Sequence, residues 1–523
     1  MNNKKEQERN ELHKTIWRIA NDLRGSVDGW DFKQYVLGLL FYRFISENLT
    51  NYINEKEKQA GNDDFDYSKL SDEEAEYGRE ALIEDKGFYI LPSQLFKNLQ
   101  KRAEKDQDLN ITLKDIFNSI ENSAKGHDSE DDVKGLFDDL DVNSNKLGNT
   151  VTDRNAKLVK MINAIGDLPL GNYKDNTIDL FGDAYEYLMT MYASNAGKSG
   201  GEFFTPQEVG ELLAKIVIMD KKEVNKVYDP CCGSGGLLLK FAKILGDKHV
   251  KQGYFGQEIN ITTYNLARIN MFLHDINYNK FDLALGDTLE KPKHWDDEPF
   301  DAIVSNPPYS IHWAGKENPL LINDQRFAPA GILAPTSKAD LAFTMHMLSW
   351  LSEKGTAAIV EFPGVLYRGG AEQKIRKYLV ENNFVEAVIQ LPSDLFFGTG
   401  IATCILVLKR SKADNSVLFV DASNEFLRGD SKNKLTDKNI ENIVDLLRKR
   451  ENKEYKSILI PNEKILENDC NISVNSYLKQ ENSEEKINIK ELNKEVQEIV
   501  KRENVLRTEL DKIIKELEVV YGE

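Results

Sequence analysis

The chain has 523 residues, too many for one hydrophobic core, which predicts about three folding units. A hydrophobic content of 41% supports globular folding, while 29% charged residues and a mean hydropathy of −0.49 predict much solvated helix. The net charge of −18 argues against unaided nucleic-acid binding, because phosphate neutralisation dominates that affinity; such a substrate would need a basic partner or a local basic face.

No apolar run reaches the roughly 18 residues of a membrane span. The nearest, Tyr35 to Tyr42, ends at Arg43, so no membrane association is expected. The start, Met1-Asn2-Asn3-Lys4-Lys5-Glu6, lacks the apolar stretch of a secretory leader. Cys231, Cys232, Cys404 and Cys470 show no paired metal spacing, and the adjacent pair would make a strained disulfide. A reducing, cytoplasmic setting and no metal are therefore expected.

Residues 1–165 read as a helical N-terminal domain. Ile16, Ile19 and Leu23 form one helical stripe; Phe32, Tyr35, Val36, Leu39, Leu40, Phe44 and Ile45 form another, which core packing explains. A second domain is expected over 170–420. Gly197-Lys198-Ser199 suggests a phosphate loop, but Tyr192 stands where that motif needs its first glycine. The following helix has a well-specified start: Thr205 as N-cap, Pro206 in the first turn and Glu208 three residues after the cap. Val209, Leu212, Leu213, Ile216 and Val217 then give one apolar face. The glycine-rich loop before it would offer free N–H groups at a helix N-terminus, where a carboxylate is well received.

From Lys226 strands and helices alternate, which predicts an α/β domain with a doubly wound, mostly parallel sheet. Strand candidates end at Tyr228, Gln257, Leu285, Val304, Val360, Ile389 and Leu408. Runs such as Ala357 to Val360 and Ile405 to Leu408 suit burial on both faces. Leu266, Ile269 and Phe272 or Leu273 mark one covering helix; Leu341, Met345 and Leu348 mark another. Residues 421–484 read as an irregular extension. Over 485–523, Ile489, Leu492, Val496, Ile499, Leu506, Leu510, Ile513 and Leu517 repeat as a coiled-coil seam, interrupted by Glu503.

Two blocks carry the chemistry, each after a buried-strand pattern: Asp229-Pro230-Cys231-Cys232-Gly233-Ser234-Gly235-Gly236 and Asn306-Pro307-Pro308-Tyr309. Ligands of open parallel sheets sit beyond the carboxyl ends of the strands, so both loops should face one pocket. In the first, only Gly233 and Gly235 fit the dinucleotide spacing, which is weak by itself. Glu258, 25 residues after Gly233, could accept from ribose hydroxyls, and Asp287 could accept from an adenine amino group. Either acid alone is explained by a strand-end cap; the ordered set is not.

The second loop suits a poorly nucleophilic aromatic amine. The Asn306 side-chain oxygen and the Pro307 carbonyl would each accept an N–H, drawing the nitrogen toward tetrahedral geometry. Pro307 and Pro308 stiffen the loop, and Tyr309 offers a face on which a flipped base stacks. Catalysis would be positioning and electrostatics, without a covalent intermediate. The glycine loop would hold a methyl donor.

This order of blocks resembles the S-adenosylmethionine-dependent amino-methyltransferases, and Asn306 to Tyr309 resembles their adenine-N6 branch. Ala20-Asn21-Asp22-Leu23-Arg24-Gly25, Asp179 to Tyr187, Gly200-Gly201-Glu202-Phe203-Phe204-Thr205-Pro206 and Ser337 to Phe343 resemble the modification subunit of type I restriction-modification systems. The resemblance implies a seven-stranded methyltransferase sheet, S-adenosylmethionine as donor and N6 of a flipped adenine in DNA as acceptor. It implies a C-terminal helix that meets a specificity subunit, a second copy of this chain in the complex, and a restriction subunit in some assemblies. It would place Gly200, Gly201, Glu202, Phe203, Phe204 and Thr205 beside the donor's methionine part, Cys232, Gly233 and Ser234 at the donor, and Glu258 at its ribose. An aromatic of the Phe396-Phe397 loop would cover the other side of the base. Three rivals remain in view: a protein-glutamine methyltransferase, a self-sufficient DNA methyltransferase, and an inactive scaffold. The large helical N-terminus, the short segment after the last expected strand, and intact Asn306 and Tyr309 argue against them in turn.

Overall fold

The computed structural model describes residues 12–14, 16, 31–168, 170, 182, 184–185, 187–188, 205–219, 221–396, 399–429, 432–479 and 489–521. It forms two compact units, Met1–Leu478 and Lys479–Glu523.

In the first unit the helix Asp31–Gln59 is the hub of the N-terminal helices. Every residue from Tyr35 to Ser46 is buried, so the aromatics there are core, as the stripe predicts. A helix apolar around its circumference must be enclosed. Phe96–Ala103, Leu109–Ser123 and Val151–Gly166 supply neighbouring helices. The one cation in that stretch, Arg43, is buried by giving its guanidinium to the carbonyls of Ile165 (2.6 Å) and Leu168 (3.0 Å) and to Glu47.

The strands are β1 (Val224–Asp229), β2 (Val250–Glu258), β3 (Phe281–Leu285), β4 (Phe300–Ser305), β5 (Leu351–Glu361), β6 (Val385–Gln390), β7 (Cys404–Lys409) and β8 (Ser416–Asp421). A two-stranded hairpin, β9 (Leu427–Arg428) with β10 (Asn433–Lys434), and a last strand, β11 (Ser457–Pro461), follow. Among the described residues nine strands form one sheet in the order β11-β8-β6-β7-β5-β4-β1-β2-β3. β7 runs antiparallel to β5 and β6, and β11 to β8; the remaining pairs are parallel. The expected seven strands are the contiguous block from β3 to β6, and β8 and β11 extend it on the β6 side.

Pleating sends alternate side chains to opposite faces. Val304, Ala358, Val360, Ile405 and Val407 join one core, with the helices Gln207–Ile218, Gly236–Leu245 and Ile261–Leu273. Ile303, Ala357, Ile359, Leu406 and Leu408 join the other, with Asp340–Trp350 and Ala371–Glu381. Residues 421–484, expected to be irregular, contain β11 and the helix Asp437–Lys449, which starts on a Thr436/Asn439 capping box. Strand order reverses between β1 and β4, which opens a crevice at their carboxyl ends.

Among its described residues the second unit holds the helix Ile489–Tyr521. Of the expected seam positions, Val496, Ile499, Leu506 and Leu510 are exposed. Among the described residues no helix is long and apolar enough to cross a membrane.

Candidate active site

The loops after β1 and β4 line a single cavity of about 280 Å³, with Asp229, Cys232, Gly233 and Ser234 on one side and Asn306 and Pro308 on the other. The crevice inferred from two sequence blocks is thus one space.

The first loop turns through Gly233 (φ 54°) and Gly235 (φ 77°), both in the left-handed region where a side chain is strained. Gly235 donates its N–H to the Cys232 carbonyl at 2.8 Å and opens the helix Gly236–Leu245. Its neighbours Ser234 and Gly236 line the cavity, and Gly235 makes the turn between them. Cys232 N–H binds the Gln257 carbonyl at 3.0 Å, tying the loop to β2. The Glu258 carboxylate accepts from the N–H of Gly233 (3.1 Å) and of Asn260 (2.9 Å), and burial pushes its pKa up. Asp287 lines the cavity, but its Oδ1 accepts from the N–H groups of Leu289 (2.8 Å) and Glu290 (3.2 Å), so it builds the local turn.

Asp229, at the end of β1, is fully buried. Its Oδ1 accepts from Cys231 N–H (3.0 Å) and from the Ser305 hydroxyl (2.8 Å). Its Oδ2 is buried with no hydrogen-bond partner among the described residues. Burial pushes its pKa up to about 7, with Glu258 adding to the effect and the Cys231 and Ser305 hydrogen bonds opposing it. A buried carboxylate oxygen without a donor, facing a cavity, is a place for a cationic ligand group.

Asn306 sits at the end of β4, 8% exposed. Its Nδ2 donates to the Thr205 hydroxyl at 3.0 Å, and its Oδ1 accepts from the Tyr309 hydroxyl at 2.6 Å. The Tyr309 ring lies against Phe362, with centroids 5.2 Å apart. Burial, reinforced by Glu361, Cys404 and Asp340, lifts the Tyr309 phenol far above its ordinary range, so it stays a donor. Ser310, next in line, has φ 51°, and Asp340 holds that conformation by accepting Ser310 N–H at 3.0 Å.

Two further expectations change. Thr205 is not the N-cap: the helix starts after Pro206 with no side-chain cap, and the Thr205 hydroxyl goes to Asn306 instead. Phe396 is 1% exposed and packed in the core, so it is not free to cover a base. Phe362 is the aromatic found against Tyr309. Gly200, Gly201, Glu202, Phe203, Phe204 and Phe397 lie outside the described residues.

Sequence reasoning missed Ser305, Phe362 and Arg326. Ser305 had a faint signal, a hydroxyl at a strand end beside β1. Arg326 had none. It is 1% exposed, paired with Asp324, and donates to the carbonyls of Thr288 (2.8 Å) and Leu289 (2.7 Å). It thereby ties the segment after Tyr309 to the loop around Asp287.

Residues 176–486 match the family model described as N-6 DNA Methylase, and residues 12–165 match that of the HsdM N-terminal domain. The type I restriction enzyme MpnII methylase subunit of Mycoplasma pneumoniae is 49% identical, over 100% of this chain and 99% of its own. The MjaVII methylase subunit of Methanocaldococcus jannaschii is 30% identical over 77% of this chain and 69% of its own. The crystal structure of a type I restriction-modification methyltransferase subunit from Streptococcus thermophilus is 33% identical with a TM-score of 0.80, covering 90% of this chain and 100% of that one.

Proposed function

The chain belongs to the N-6 DNA methylases, as a methylase subunit of the type I restriction-modification kind, and from that premise we propose that it moves a methyl group from S-adenosylmethionine to N6 of an adenine flipped out of DNA. The observation that carries this reading is the shared cavity: the glycine loop after β1 and the Asn306 amide line one space.

The residues fit the donor. Asp229 Oδ2 has no hydrogen-bond partner among the described residues, which suits a cationic group, and the Gly233 turn lets backbone come close to a ligand. Ser234, Glu258 and Asp287 complete the candidate donor wall, and Gly200 to Phe204 are proposed to close it toward the methionine end. Bound there, S-adenosylmethionine supplies an electrophilic methyl on a sulfonium.

Asn306 and the Pro307 carbonyl act on the acceptor. The amine of adenine has its lone pair delocalised into the ring. By accepting its two N–H groups they localise that pair, aim it, and stabilise the positive charge that grows on nitrogen. In the present state the Tyr309 hydroxyl holds Asn306 Oδ1, the oxygen the amine needs. The entering base displaces it, and the Tyr309 ring becomes the stacking face. Base flipping is required because the target nitrogen is inaccessible inside a duplex.

The net charge of −18 makes a basic partner the main grip on DNA. We assign that part to a specificity subunit, with a second copy of this chain in the complex and the exposed seam of Ile489–Tyr521 as the assembly element. Donor calorimetry on the chain alone, then labelled-methyl transfer to DNA with and without a basic specificity subunit, tests the reading. Donor binding without transfer in the full complex would refute it.

A further inference from the structure

We infer that Thr205 is a positioning residue for methyl transfer, holding the Asn306 amide in the orientation in which its oxygen meets the substrate amine. The inference rests on the proposed methyltransferase reading and adds a residue to it.

A primary amide has an acceptor end and a donor end of nearly the same shape. A half-turn about its last side-chain bond exchanges them. With oxygen outward, Asn306 accepts an N–H of the incoming amine. With nitrogen outward, it points N–H at N–H and raises the barrier. A strand end alone does not hold the amide in either state, so a side-chain contact must.

Thr205 supplies it. The Asn306 Nδ2 donates to Thr205 Oγ1 at 3.0 Å, a link between residues 101 apart in sequence. Asn306 is 8% exposed and Thr205 is half-buried, and both line the cavity. With Nδ2 so engaged, Oδ1 is the end left for the reaction, where the Tyr309 hydroxyl waits at 2.6 Å.

The local backbone fits this role better than the usual one. Threonine ahead of a helix ordinarily caps it, contributing about 1 kcal/mol. Here the helix Gln207–Ile218 has Pro206 at its N-cap, which makes no side-chain cap hydrogen bond, although Thr205 stands just before it. Pro206, with φ −52°, fixes the chain immediately after Thr205. The hydroxyl has left a local bond for a long-range one at the reacting amide.

The family resemblance would instead make Thr205 a donor contact, and the two roles separate in kinetics. The full chain, assembled with its specificity subunit, is given tritiated S-adenosylmethionine and unmethylated genomic DNA in single-turnover experiments. At saturating donor, Thr205→Val should slow transfer about tenfold, the weight of one net hydrogen bond. Its donor affinity by calorimetry should match wild type. Thr205→Ser, which keeps the hydroxyl, should restore the rate. A Thr205→Val enzyme with weakened donor binding and an unchanged saturating rate would overturn the inference. So would an unchanged rate and affinity, or a slow Thr205→Ser enzyme, which would make the methyl group the important part. A wild-type complex that binds donor but transfers nothing would instead overturn the methyltransferase reading, and this inference with it.

Discussion

Asp229→Asn should make the protein more stable and less able to bind its donor, and the first effect should grow with pH. In the folded chain burial holds the Asp229 carboxyl at about 7, against an ordinary 3.8. The sign follows from proton binding. Between those values the folded state keeps a proton that the unfolded chain has released, so this group's contribution to stability falls as pH rises from about 4 to about 7. Above that range the ionised, buried carboxylate costs the fold about 4 kcal/mol, at 1.36 kcal/mol for each pH unit of displacement. Asparagine has a neutral oxygen that can still accept from Cys231 N–H and the Ser305 hydroxyl, so it removes most of that cost and keeps both bonds. Urea melts of wild type and Asp229→Asn at pH 5 and pH 8 read the difference directly. Stabilisation by the variant should be about 2 kcal/mol at the lower pH and about 4 kcal/mol at the higher. Calorimetry with S-adenosylmethionine supplies the functional half. Wild-type affinity should rise about tenfold from pH 6 to pH 7.5 and then level off, because a cationic group beside Oδ2 favours the ionised form; the variant should bind weakly at every pH. Equal stability of the two proteins at pH 8, or undiminished donor binding by the variant, would refute the reasoning.

Three further outcomes are expected. Tyr309→Phe keeps the ring against Phe362 but frees Asn306 Oδ1, so single-turnover transfer should be as fast as wild type or faster. Tyr309→Ala should lose about 1–3 kcal/mol of base stacking, read as weaker 2-aminopurine flipping. Deleting residues beyond 485 removes most of the second unit, Lys479–Glu523. It should leave thermal melting of the remainder unchanged while abolishing co-elution with the specificity subunit on gel filtration.

The sheet was legible because its central strands are buried on both faces. Each of the seven expected strand ends lies within one residue of an observed end, from Tyr228 against Asp229 to Leu408 against Lys409. Val417 to Val420 carries the same apolar signal for β8, but β11 is a short edge strand ending at Pro461, and its pairing with β8 is set by tertiary contact. At the site, placement around one cavity was legible where residue type and strand end coincide, as at Asp229, Glu258 and Asn306. What escaped were links between loops distant in sequence. Local rules make Thr205 a cap, yet a partner 101 residues away takes its hydroxyl. Arg326 has no periodicity or spacing to betray it, because its value comes from carbonyls brought near only by folding. Phe396 looked like a stacking residue from its place in a loop, and the core claimed it.

The central claim is that the Asn306 amide and the glycine loop work on one methyl transfer across one cavity. The most direct measurement is a digest of DNA treated with labelled donor by the complete complex, wild type against Asn306→Ala. Wild type should place the label in N6-methyladenine, and Asn306→Ala should transfer about 10²–10³-fold more slowly with donor affinity intact. Label found in protein or in another base, or wild-type rates from Asn306→Ala, would contradict the account.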